Sequence, residues 1–92
     1  MRDKKFYIDS IKMDLYRVVT AVGDITRMIS PESVNEFMQH AERDFNKMEL
    51  TTHEKQLRNE LKTLTKSLVD NLQDPHKRLR WTEDILTIRS RL

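Results

Sequence analysis

Apolar residues recur in steps of three and four along most of this chain, and the rhythm breaks at three places. The longest unbroken run is Ile8, Ile11, Leu15, Val18, Val22, Ile25 and Ile29, seven consecutive seam positions. Such spacing puts every member on one side of a 3.6-residue helix and predicts a helix over residues 3–29. β-Branched residues at most seam positions disfavour a two-stranded coil and favour three or four helices around a shared core. A second stripe, Val34, Phe37, Met38, Ala41, Phe45 and Met48, predicts a helix over 31–48. Leu57, Leu61, Leu64, Leu68 and Leu72 predict a third over 52–73, and Trp81, Ile85, Ile88 and Leu92 a fourth over 75–91. Gly23 falls inside the first pattern, where glycine costs about 1 kcal/mol relative to alanine. It reads as a point of close helix approach or as a kink.

The breaks carry start signals. Ser30-Pro31-Glu32 offers a cap, a proline suited to the first helical position and an acid suited to the helix dipole. Thr51 with Glu54 three residues later reads as a capping box. Asp74-Pro75 repeats the cap-and-proline logic, with a later start at Thr82, followed by Glu83 and Asp84, as the alternative. Connections this short set neighbouring helices antiparallel. The expected fold is all-α: one domain spanning 1–92, a small up-down four-helix bundle that is complete in itself or completed by homo-oligomerisation.

Composition narrows the function classes. One glycine and no cysteine, in a chain 35% charged and 37% hydrophobic, exclude disulfides, thiolate zinc sites, a cysteine nucleophile and a glycine-rich phosphate loop. Ser10, Ser30, Ser33, Ser67 and Ser90 have no histidine at a spacing that suggests a nucleophile pair. An enzyme is therefore not expected. The opening MRDKKFYIDSIK lacks the apolar core of a signal peptide, and no run approaches the roughly 20 apolar residues of a membrane span. The expected location is cytoplasmic. Helix 1 is amphipathic, but Asp9, Asp14 and Asp24 on its polar side oppose an anionic lipid surface, so no membrane partner is expected.

The net charge of +2 is too small to imply nucleic acid by itself, although the second half is the more basic. Lys55, Arg58, Lys62 and Lys66 form a row on helix 3, opposite its leucine stripe, about 17 Å long. Such a row could track a phosphate backbone, but no aromatic or amide side chain interleaves with it to read bases. The segment DPHKRLRW adds Lys77, Arg78 and Arg80. Arg78 and Arg89 fall on one side of the helix 4 seam, and Lys77, Arg80 and Arg91 on the other. Residues so placed are expected to pair with acids on helix 2, where Glu36, Glu42, Asp44 and Glu49 are available. Trp81, on the seam, reads as a core anchor. His76, Lys77 and Arg78 in a first turn run against the helix dipole and mark a candidate anion site.

Two further patterns remain. Phe6, Met13 and Tyr16 point away from the seam of helix 1, and Leu79 and Leu86 lie off the main seam of helix 4. Apolar strips on outer faces suggest a subunit or partner interface. Glu36, His40 and Asp44 sit four apart on helix 2, facing away from its apolar stripe, and read as a surface hydrogen-bonded row rather than a metal site. His53 and His76 have no companion at ligand spacing. No metal, cofactor or small-molecule substrate is expected. Together these features describe a non-enzymatic interaction or adaptor protein that self-associates or binds a protein partner through the outer strips. The alternative is a nucleic-acid-binding accessory protein that uses the basic row.

Overall fold

The starts of the four longer helices among the described residues are each secured by a local side chain, whereas the short Leu68–Leu72 helix has no side-chain cap. The Asp3 carboxylate accepts from the Phe6 N–H at 3.0 Å. Ser30 Oγ accepts from the Ser33 N–H at 3.3 Å, and Asp74 Oδ1 from the His76 N–H at 2.9 Å. Thr51 and Glu54 complete a reciprocal capping box: Thr51 Oγ1 accepts from the Glu54 N–H at 3.2 Å, while Glu54 Oε1 accepts from the Thr51 N–H at 2.9 Å. Losing a cap of this kind costs about 1 kcal/mol. Asp74-Pro75 is thus a true start, and Thr82 lies buried within the helix with its hydroxyl donated to the Arg78 carbonyl.

The computed structural model describes residues 3–23 and 30–92. Among them all regular structure is helical, in five elements: α1 (Lys4–Gly23), α2 (Pro31–Asn46), α3 (Thr52–Lys66), α4 (Leu68–Leu72) and α5 (Pro75–Arg91). Asp24 and the seam positions Ile25 and Ile29 lie outside the described residues. No helix among the described residues is long and apolar enough to cross a membrane.

The sequence predicts one helix over 52–73, whereas the chain has two, divided at Ser67. The cause is a competition for backbone carbonyls. The Leu64 carbonyl, which the Leu68 N–H would take in an unbroken helix, accepts the Trp81 indole N–H at 2.9 Å and the Ser67 hydroxyl at 3.3 Å. Thr63 and Thr65 also turn their hydroxyls back onto carbonyls four residues earlier. A side chain inserted into the ladder, with hydroxyls bonding back along it, is a recognised cause of a helix break.

Helix α1 packs between α2 and α5, and both α3 and α4 pack against α2 and α5. Where these helices meet lies a single core containing Ile11, Leu15, Val18, Val34, Met38, Phe45, Leu57, Leu61, Trp81 and Ile85. Full burial of each large apolar side chain contributes about 1.5–3 kcal/mol. Helices α1 and α5 run antiparallel: Arg78 Nε donates to the Val22 carbonyl at 2.8 Å, and at the far end Arg89 Nε donates to the Lys12 carbonyl at 3.1 Å. Gly23 is not a site of close approach, because a Cβ placed on it would meet nothing within 4 Å.

Candidate functional site

The antiparallel register of α1 and α5 brings the two outer apolar strips together. With Val22 facing Arg78 and Lys12 facing Arg89, Leu86 comes level with Met13 and Tyr16, and Leu79 level with Thr20 and Gly23. Tyr16 and Leu86 border the sides by which the two helices meet, Leu79 lies slightly farther round α5, and Met13 and Phe6 lie farther round on the outer face of α1. Met13, Tyr16, Leu79 and Leu86 are between 45% and 61% exposed, and Phe6 is 42% exposed. A shallow groove beside Met13 and Tyr16 is lined by Asp9, Lys12, Met13, Tyr16 and Arg89. The Arg89 guanidinium lies 5.7 Å from the centre of the Tyr16 ring, a cation–π contact across the helix pair. Val69, the other large exposed apolar residue among those described, is on α4 and outside this face.

The basic residues are dispersed by the fold. Arg78 and Arg89 do lie on one side of the α5 seam, and that side faces α1. There they donate to main-chain carbonyls instead of pairing with acids of α2. The main neighbours of α5 are α1, α3 and α4, and Asp44 of α2 is engaged by Ser10, His40 and Lys47. The first turn of α5 is reconciled with its dipole by the Asp74 cap and by the reach of Arg78 into α1. His76, Lys77 and Arg80 remain exposed, while Trp81 is buried as a core anchor.

On α3, Lys55, Lys62 and Lys66 are exposed and Arg58 is half-buried. The Arg58 Nε is fully buried with no hydrogen-bond partner. On α2, burial pushes the Glu42 carboxyl above its ordinary 4.5, against the downward pull of the Lys62 and Lys66 charges. The opposite charge of Glu42 weakens the field of Lys62 and Lys66 for phosphates.

A third constellation crosses α1 and α2. His40 Nδ1 lies 2.5 Å from Asp14 Oδ2 and 3.6 Å from Asp44 Oδ2. An ionised carboxylate only accepts, so the imidazole supplies the hydrogen and Nδ1 carries it. Arg17 holds the other oxygen of Asp14 at 3.2 Å, the Ser10 hydroxyl donates to Asp44 Oδ2 at 2.7 Å, and the Lys47 ammonium stands 3.9 Å from Asp44 Oδ1. Asp14 and Asp44 are 2% and 3% exposed, whereas the His40 side chain is 51% exposed. It opens into a cleft of about 430 Å³ lined by Asp14, Arg17, Glu36, Phe37, His40 and Arg43.

This arrangement corrects the reading of Glu36, His40 and Asp44 as one surface row. Asp44 turns inward, and the residue that joins His40 is Asp14 of α1. Nor does Asp14 lie on a polar outer face of α1. The signal was present but quiet: Asp14 stands three after Ile11 and four before Val18, and Asp44 stands three after Ala41, so both carboxylates border core stripes.

No protein-family model matches this chain, and no curated protein or solved structure matches it at a significant level.

Proposed function

We propose that this chain is a small non-enzymatic interaction protein that binds through the joined α1/α5 face, and that the occupant of that face is a second copy of the chain. The proposed architecture is an up-down four-helix bundle in which α3 and α4 together form one broken rod. The observation that carries the reading is the convergence of Met13, Tyr16, Leu79 and Leu86, with Phe6 beyond them, on two helices in direct contact. Apolar surface gathered on one face is characteristic of an interaction site, whereas scattered exposed residues are not.

Self-association is supported by the charges around the strip. Asp9 lies beside Lys12 and Arg89 along the groove, so both signs are present within one patch. A two-fold contact needs such a self-complementary surface, because the same patch meets itself. The molecule measures 40 × 21 × 19 Å, and its long side can supply the roughly 800 Å² per partner of a standard interface. A cytoplasmic setting is proposed on the absence of cysteine, within the same reading.

The decisive experiment is sedimentation velocity on the unmodified chain and on Phe6→Glu combined with Met13→Glu. The double variant is expected to keep its helicity by circular dichroism and to sediment as an 11.1 kDa monomer. If the two proteins have the same solution mass, the α1/α5 face is not an assembly surface.

The nucleic-acid alternative draws support from the exposure of Lys55, Lys62 and Lys66. It is the weaker reading because the Glu42 charge opposes Lys62 and Lys66 and Arg78 is engaged by α1.

A further inference from the structure

The Asp14, His40 and Asp44 cluster lies on the side of α1 turned toward α2, away from the proposed assembly face. We propose that it is a binding site for one divalent transition-metal ion, with Zn2+ the best-matched probe. Its three donors are two carboxylate oxygens and an imidazole nitrogen, taken from two different helices, and all lie within 4.8 Å of one another. Zn2+ sits about 2.0–2.2 Å from such oxygens and nitrogens, which sets neighbouring donors roughly 3.4 Å apart. The His40 to Asp44 separation of 3.6 Å already fits. The His40 to Asp14 contact must open by about 1 Å, a movement that a half-exposed ring at a cleft mouth can make.

Three features beyond donor type support a metal. The first is charge: two nearly fully buried carboxylates match a dication, and burying such groups is costly without close compensation. Their cations in the fold are incomplete substitutes, since Arg17 is half-exposed and the Lys47 ammonium stands 3.9 Å away. The second is outer support. Arg17 engages Asp14 through Oδ1, which leaves Oδ2 directed at His40, and Ser10 orients Asp44 from α1. Metal ligands are typically held by partners of this kind. The third is access. The cleft at Asp14 and His40 leaves room for the water that completes a three-ligand site. On binding, Nδ1 exchanges its hydrogen bond to Asp14 for the metal, and the ring proton resides on Nε2. The hydrogen-bonded cluster and the metal site are thus alternative states of the same three side chains.

The test is calorimetric titration of the full chain with Zn2+ in a non-chelating buffer, followed in parallel by the 15N resonances of its three histidines. Expected are one Zn2+ per chain and a shift of the His40 Nδ1 resonance, with His53 and His76 unmoved. Ser10→Ala, which removes only the outer support, should weaken binding about 10–100-fold. His40→Ala should abolish it, provided circular dichroism shows that the variant is folded. The spectra of the unmodified chain decide the matter even if that variant does not fold. No uptake of Zn2+, or uptake that moves His53 or His76 and leaves His40 unchanged, would overturn the proposal.

Discussion

The indole N–H of Trp81 donates to the main-chain carbonyl of Leu64 at 2.9 Å, tying α5 to the point where α3 ends. The chain's single tryptophan thus fills the core with its ring and occupies, with its nitrogen, an acceptor that a continuous helix would have used. Trp81→Phe keeps most of the ring volume and removes the donor. A loss of about 1–2 kcal/mol is expected, from a weakened buried acceptor and a small void. Urea denaturation followed by circular dichroism measures it. An unchanged midpoint would mean that the hydrogen bond contributes nothing net.

Gly23 offers a change in the opposite direction. Its φ is not positive, and an added Cβ would meet no atom within 4 Å. Gly23→Ala should therefore stabilise the chain by about 0.4–1 kcal/mol, chiefly by restricting the unfolded state. Thermal and urea midpoints should both rise.

Glu54 predicts an acid limb in the stability profile. Burial alone would raise its carboxyl, but the hydrogen bond from Lys4 and those from Thr51 hold it below its ordinary 4.5. A carboxyl lowered in the folded state stabilises above its unfolded value, and that contribution disappears as pH falls through the folded value. Glu54→Gln preserves the capping-box geometry and deletes the charge, so it should lower stability near neutral pH and have little effect in acid. Glu42, which is raised, has the opposite sign, and Glu42→Gln should stabilise at neutral pH. Denaturation midpoints measured from pH 3 to pH 7, a window of roughly that width, separate the two.

The strips on α1 and α5 should act as one surface. Leu79→Glu with Leu86→Glu is expected to dissociate the assembly as fully as Phe6→Glu with Met13→Glu. Val69→Glu, a change of the same kind on an equally exposed residue of α4, should leave the mass unaltered. Loss of assembly in the Val69 variant would move the interface off the α1/α5 face.

For the basic row, labelled duplex DNA titrated across a salt series is the direct measurement. Four phosphate contacts would give a slope of about −3.6 in log affinity against log salt. With the Glu42 charge opposing Lys62 and Lys66, no such salt-dependent binding is expected.

The sequence by itself determined the features that depend on neighbours along the chain. Ser30, Thr51 and Asp74 start helices because each cap bonds a backbone group two or three residues away. The three-and-four spacing marked the buried stripes, and Phe6, Met13, Tyr16, Leu79 and Leu86 were already legible as apolar residues on the outside. Tertiary structure decided whatever needed a second helix. The leucine helix breaks at Ser67 where an indole from α5 joins the local Ser67, Thr63 and Thr65 hydroxyls on its ladder, and no local pattern records the indole. Arg78 and Arg89 reach main-chain carbonyls of α1 because α1 packs beside α5. Asp14 and His40, 26 positions apart, approach only after α1 packs on α2, and a single periodic stripe shows which face a residue borders but not which residue it will meet there. Helix faces follow from a 3.6-residue period, whereas the pairing of those faces is set by how the shared core packs.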